Sequence, residues 1–272
     1  MISSILSLFQ SLKLAPLLHV AIDNNTGQPE TVILLHGIAA SSTAWQPVID
    51  RLDSQKYRII ALDLLGHGLS PKPVDCQYSA DDHVRSIRRT LKRLNINTPM
   101  LFVGHSMGSI ICLRYYQTYP RNITALHLLS PPLYSRREIS SRRSMTKLRT
   151  DIYLELYRLL SANKGLTLAA SRHIRTLLRI KESALVTEET WHSFRMSLTN
   201  TIVHQFAYED IRNTEVPIYI TYGVADEFLI AKNIDSLKRQ KNVSITKLLG
   251  IRHIIGVRFA KKVVEQIDPK PK

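Results

Sequence analysis

The chain has 272 residues, 44% of them apolar, with 37 Lys and Arg against 22 Asp and Glu for a formal net charge of +15. That composition suits one large α/β-sized core and excludes a disordered chain. No run approaches the roughly 18 apolar residues a spanning helix needs, so an integral membrane protein is not expected. The two cysteines, Cys76 and Cys112, make no disulfide framework and fit a reducing, cytoplasmic compartment. The charge favours loose association with anionic partners and says nothing of fold.

Residues 1–14 carry a helical stripe, Ile2, Ile5, Leu6, Phe9 and Leu12, opposite a serine-rich face and closed by Pro16. They lack the basic start and unbroken apolar run of a signal peptide. A helix packed on the domain surface is the first reading, and contact with a membrane surface the second.

Residues 17–22 and 31–35 read as strands joined through Asp23-Asn24-Asn25-Thr26-Gly27, and 57–62 as a third. Ser79 opens a helix with Asp82 three residues on, a capping box. Val84, Ile87, Leu91 and Leu94 form its buried face, with Arg85, Arg88, Arg89, Lys92 and Arg93 outward. Strand 99–103, helix 107–116 and strand 123–129 follow. The rhythm resumes near the end with strand 217–222, helix 230–239, strand 243–248 and helix 254–267. Apolar strands without polar alternation, separated by amphipathic helices, predict an α/β fold with a parallel sheet covered on both faces. Between them, 133–208 has helical patterns at 152–160, 166–180 and 188–206 and no convincing strand. The expected domains are a core of 1–132 and 209–272 and a helical cap of 133–208 over the strand ends where ligands bind.

Gly104-His105-Ser106-Met107-Gly108 follows one of these strands directly and precedes a helix. In that context it is a nucleophile elbow, a sharp turn that exposes the serine hydroxyl and leaves no room for side chains beside it. Upstream, His36-Gly37-Ile38 ends the strand 31–35. An acyl-transfer site needs two backbone N–H groups aimed at the developing oxyanion. Met107 supplies one candidate, and Ile38 or Ala39 the other. His36 is expected to brace this loop.

These motifs resemble the α/β-hydrolase superfamily, in its cap-bearing esterase, lipase and C–C hydrolase branch. The matching stretches are His36-Gly37, Asp63-Leu64-Leu65-Gly66-His67-Gly68-Leu69-Ser70, the Ser106 elbow, Gly223-Val224-Ala225-Asp226 and Gly250-Ile251-Arg252-His253. The resemblance implies a mostly parallel eight-stranded sheet, a helical cap after the sixth strand, and triad residues in the order Ser, Asp, His. Ser109 stands where a third glycine is common, and the cap matches no particular subfamily, so no substrate is inherited.

Among the ten histidines, His253 fits the base that serine needs, because it lies in the loop between the last strand and last helix. Asp226, just past strand 217–222, fits the carboxylate that orients it. Asp63 and Glu227 are the competitors, and loop bracing is the role the resemblance implies for Asp63. His105 and His67 read as packing or structural residues. His173, His192 and His204 read as solvent-facing or packing residues of the cap, with lining the pocket the alternative for His204. A serine at the elbow argues against the haloalkane dehalogenase and epoxide hydrolase chemistry that resemblance assigns to an aspartate there.

Arg136, Arg137, Arg142, Arg143, Lys147 and Arg149 crowd the start of the cap. A solvated face is the plain reading; attraction to anionic membrane surfaces is the sharper one, and selection of an acidic substrate a third. Specific nucleic-acid binding is not expected without an aromatic platform. Nor is a metal or other cofactor, since no ligand cluster or phosphate loop occurs. The expected function is hydrolysis of a carboxylic ester or related acyl bond on a small-molecule substrate. C–C bond hydrolysis, amide or peptide cleavage, acyl transfer, and ligand binding with little turnover stay open, as does the oligomeric state.

Overall fold

The computed structural model of the chain describes residues 14–134, 145–178 and 186–269. Their strands are β1 (Val20–Asp23), β2 (Glu30–Leu35), β3 (Tyr57–Leu62), β4 (Met100–His105), β5 (Ile123–Leu129), β6 (Ile218–Gly223) and β7 (Val243–Leu248). They form one sheet in the order β1-β3-β2-β4-β5-β6-β7, parallel except for β1, which runs antiparallel to β3. The order places β4 at the centre, so the chain leaves it at the C-terminal edge with neighbours on both sides. Every residue of β3 and β4 is buried, as a sheet covered on both faces requires.

Helices α1 (Gln46–Ile49), α2 (Ala80–Arg93) and α3 (Met107–Thr118) fall between the early strands, and α9 (Val257–Ile267) closes the chain. Trp45, Val48, Phe259 and Val263 pack α1 and α9 on one face of the sheet. Ile87, Leu91, Ile111 and Tyr115 pack α2 and α3 on the other. Burying each such side chain contributes roughly 1.5–3 kcal/mol. The predicted capping box is present: Asp82 N–H donates to Ser79 Oγ at 3.2 Å and Ser79 N–H to Asp82 Oδ2 at 2.9 Å.

Seven strands lie among the described residues where the resemblance implies eight, and the helical segment follows the fifth of these seven. The edge strand β1 is shorter than the predicted 17–22 because side chains claim the residues before it. Leu18 N–H donates to Thr90 Oγ1 and His19 N–H to Ser70 Oγ, both at 2.9 Å. The last helix starts at Val257 rather than Ile254, since Gly256 is extended and caps it. Residues 254–256 are thereby left to the loop that carries His253.

Between β5 and β6 the described residues form α4 (Met145–Ala162), α5 (Lys164–Leu178), α6 (Trp191–Ser197), a π-helical stretch Leu198–Val203 and α7 (Ala207–Arg212). Helix α8 (Ala231–Asp235) and a tight 3₁₀ turn (Ser236–Arg239) replace the single helix expected at 230–239. Ser193 Oγ donates to Gly66 O at 2.6 Å, and Thr201 Oγ1 to Tyr78 O at 2.7 Å, tying this segment to the loops after β3. At its two roots, Gln205 Nε2 donates to Pro132 O at 2.8 Å and Asn233 Nδ2 to Leu133 O at 2.9 Å. The N-terminal stripe from Ile2 to Leu12 and the cluster Arg136, Arg137, Arg142 and Arg143 lie outside the described residues.

Candidate active site

Ser106 sits between β4 and α3 with φ 52° and ψ −119°, a left-handed conformation rare for a residue with a side chain. The surroundings hold it there. Ser106 N–H donates to Leu129 O at 2.8 Å, and Ser109 Oγ donates to Gly104 O at 2.7 Å. The flanking glycines are obligatory by contact: a β-carbon at Gly108 would lie 2.1 Å from Leu35 O, and one at Gly104 would lie 2.4 Å from Gly108 O. The end of β2 therefore lies directly against the elbow.

The same closeness brings the loop after β2 to Ser106. A β-carbon at Gly37 would lie 3.1 Å from Ser106 Cβ, so the loop that continues into Ile38 and Ala39 borders the hydroxyl. Ala39 itself has φ 53°. Met107 is the first residue of α3, so its N–H has no acceptor within the helix and lies at the positive end of the helix dipole.

His36 braces this loop, as expected. Its Nε2 accepts from Leu64 N–H at 2.9 Å, so the ring proton is on Nδ1, which donates to Gly37 O at 2.7 Å. Full burial depresses its pKa, which suits the neutral tautomer these partners demand.

Asp226 and His253 meet. His253 Nδ1 lies 2.9 and 3.0 Å from the two carboxylate oxygens of Asp226, whose side chain is wholly buried. Asp226 Oδ1 also accepts from Phe228 N–H at 3.0 Å. Burial pushes the Asp226 carboxyl up, but hydrogen bonding to His253 and its charge outweigh that and hold it below the usual carboxylate value. The loop reaches this position because Gly223 has no side chain: a β-carbon there would lie 2.1 Å from Ile251 O. With Nδ1 committed to the carboxylate, Nε2 of His253 is the nitrogen left to accept a proton.

Asp63, the competing carboxylate, is engaged elsewhere. Its oxygens accept from Ser42 N–H at 2.7 Å and Leu69 N–H at 2.9 Å, and lie 3.1 Å from His19 Nδ1. Glu227 is exposed. His67 is buried, with Nδ1 against Leu65 O at 3.0 Å. A cavity of about 180 Å³ opens beside Ala39 and Ala40, bounded also by His67, Lys72, Glu189 and Phe194; neither Ser106, Asp226 nor His253 lines it. Among the described residues no group of three or more His, Cys, Asp or Glu could hold a metal ion, and no helix is long and apolar enough to cross a membrane.

One residue does more than the sequence suggests. His105, read as packing, reaches the main-chain carbonyl of His253 with Nε2 at 2.8 Å, and the two rings lie 4.8 Å apart. Phe228 stands edge-on to the His253 ring at 5.0 Å. The residue next to Ser106 is thus bonded to the residue that carries the candidate base. Nothing local in the sequence marks a partner so distant in the chain.

A family model for the alpha/beta hydrolase fold matches residues 30–213. The chain is 40% identical over 111 residues to the probable lysophospholipase BODYGUARD 1 of Arabidopsis thaliana, a match covering 39% of this chain and 24% of that protein. The match thus spans about a quarter of the plant relative's length. An esterase from Exiguobacterium antarcticum superposes with a TM-score of 0.70 at 18% identity, over 92% of this chain and 93% of its own. A monoacylglycerol lipase from Paleococcus ferrophilus does so with 0.63 at 22% identity, over 92% and 98%. At those identities the two solved structures share the fold.

Proposed function

The chain belongs to the alpha/beta hydrolase fold family, and from that premise we propose that it is a serine hydrolase that cleaves a carboxylic ester or related acyl bond. The observation that carries the proposal is the pairing of His253 Nδ1 with the buried Asp226 carboxylate at 2.9–3.0 Å, in a loop bonded to the residue beside Ser106. The relatives and structural neighbours, a probable lysophospholipase, an esterase and a monoacylglycerol lipase, agree with ester chemistry.

In this reading His253 Nε2 takes the Ser106 proton as Oγ attacks the substrate carbonyl carbon. The oxyanion that forms is met by the N–H groups of Met107 and Ile38; a donor of this kind is worth on the order of 3 kcal/mol in the transition state. Collapse of the tetrahedral species returns the proton from His253 to the departing alcohol and leaves an acyl group on Ser106. Water then repeats the sequence and releases the acid. Asp226 stays ionised throughout, fixing the tautomer and balancing the imidazolium. The helical segment 133–208 is proposed as a cap roofing the acyl site, supported by its bonds to Gly66 and Tyr78.

The test is covalent labelling with a fluorophosphonate, read by mass spectrometry, alongside turnover of a panel of esters of graded chain length. Label on Ser106 alone, with both label and turnover lost in Ser106→Ala, is the expected outcome. Label elsewhere, or an active alanine variant, overturns the reading.

A further inference from the structure

The loops that carry Asp226 and His253 end in an apolar, basic lip. Val224 is 53% exposed, Leu249 75%, Ile254 55% and Val257 60%, values far above what large aliphatic side chains need to show. They lie together: Val224 N–H donates to Leu248 O at 2.9 Å and Ala225 N–H to Ile251 O at 3.1 Å, so the loop after β6 lies against the loop after β7. Ile254 follows His253 directly, and Val257 opens α9.

The charge around this lip is predominantly positive. From residue 236 to residue 264 the chain contains no Asp or Glu. Arg252 and Arg258 are exposed on the lip and Lys261 one turn along α9, and none of the three makes an ion pair among the described residues. Asp226 is buried under His253, which leaves Glu227 as the one exposed acid of these two loops. A second apolar stripe, Ile152, Leu156 and Leu159 on α4, is exposed as well, but it carries Asp151 and Glu155 with it. Exposed aliphatic side chains interleaved with unpaired cations match an anionic lipid surface, where the apolar groups enter the headgroup boundary and the cations meet phosphates.

We propose that Val224, Leu249, Ile254 and Val257, with Arg252, Arg258 and Lys261, form a docking surface for anionic phospholipid bilayers that sets the mouth of the site against the membrane. The surface is built from residues other than those of the arginine cluster at 136–143. Only the orientation of the mouth rests on the reading of Ser106 and His253 as catalytic, so binding is measured on Ser106→Ala protein.

Co-sedimentation uses vesicles of pure phosphatidylcholine and of phosphatidylcholine mixed with phosphatidylglycerol. The protein should partition onto the mixed vesicles and lose binding as salt rises. Arg258→Gln with Lys261→Gln should weaken partition about fivefold for each charge removed. Leu249→Asn with Val257→Asn should weaken it by about tenfold or more. All four residues are exposed, so thermal melts and, on the Ser106 background, turnover of a soluble short-chain ester should be unchanged. Equal binding to neutral vesicles, no binding at all, or unaltered binding in both double variants overturns the proposal. So does loss of binding on neutralising Arg136, Arg137, Arg142 and Arg143 alone. A concentration-dependent dimer abolished by Leu249→Asn would likewise overturn it, by making this face an interface between copies.

Discussion

His105 Nε2 donates to the carbonyl oxygen of His253 over 2.8 Å, joining residues 148 apart in sequence. A carbonyl can only accept, so the bond fixes the His105 proton on Nε2. Burial, with help from the neighbouring His253, holds the His105 pKa down at about 3, so the ring is neutral under ordinary conditions. The bond sets the height of the His253 backbone relative to the elbow.

Loss of that bond should be felt in turnover. His105→Leu is expected to lower kcat by about tenfold to a hundredfold, the scale of a displacement of about 1 Å in a catalytic group. His105→Gln keeps an N–H donor and should lose less. Both are measured on one activated ester after thermal melts show folded protein. A folded His105→Leu enzyme with wild-type kcat would reduce the contact to packing.

The two carboxylates should separate by phenotype. Asp226→Asn keeps the shape but favours the wrong tautomer of His253, a change that cost about 10⁴ in kcat in a serine protease. Asp63→Asn removes one acceptor from a carboxylate serving Ser42, Leu69 and His19. It should cost about 1–3 kcal/mol of stability and little of the chemical step. Paired melts and kcat measurements decide; the reverse pattern would sink the assignment of Asp226.

Acid should destabilise the fold through its buried histidines, against a smaller opposing contribution from Asp210, whose carboxyl burial pushes up to about 6. Burial depresses the pKa of His36, His67, His83, His105 and His127, those of His67, His105 and His127 to about 3. The unfolded chain takes up protons near 6.5, the ordinary histidine value, while the folded chain resists them. Their contribution is therefore complete above about pH 6.5 and declines as pH falls toward 3, by up to about 1.4 kcal/mol per pH unit for each ring. Calorimetry should show the melting temperature falling on the order of 10 °C from pH 7 to pH 5. A flat profile would mean that these rings are protonated in place.

Two glycines should respond oppositely to alanine. At Gly108 the new methyl would press on Leu35 O at 2.1 Å, backbone against backbone, and the cost should exceed about 3 kcal/mol. At Gly165, in the first turn of α5, nothing lies within 4 Å of the added carbon. There Gly→Ala should stabilise by about 0.5–1 kcal/mol. Urea titrations of both variants test the pair.

What could be read from sequence follows physical range. The elbow around Ser106 is legible because a strand, two glycines and a helix within a dozen residues specify one turn. Asp226 and His253 are legible as positions past strand ends, and the structure brings those two side chains together. The role of His105 is not, because its partner comes from the far end of the chain. The clustering of buried His36, His67 and His83 is likewise invisible, since each ring arrives on a different element. The short β1 eluded periodicity for a related reason: Thr90 and Ser70, both distant in sequence, take the N–H groups of Leu18 and His19.

The bonds at the roots of the helical segment, from Gln205 to Pro132 O and from Asn233 to Leu133 O, make that segment a replaceable cassette. Gln205 holds its exit beside its entry at Pro132, and Asn233 of α8 holds the entry at Leu133, so the distance its interior must span is set independently of what fills it. Doubling the length of such a closed segment costs only about 0.6 kcal/mol in closure entropy. Insertions between the roots that leave the Ser193 and Thr201 bonds in place can therefore accumulate without disturbing the elbow. On the proposed reading of this segment as a cap, exchanging what lies between the roots would change what is recognised while Asp226 and His253 stay where they are.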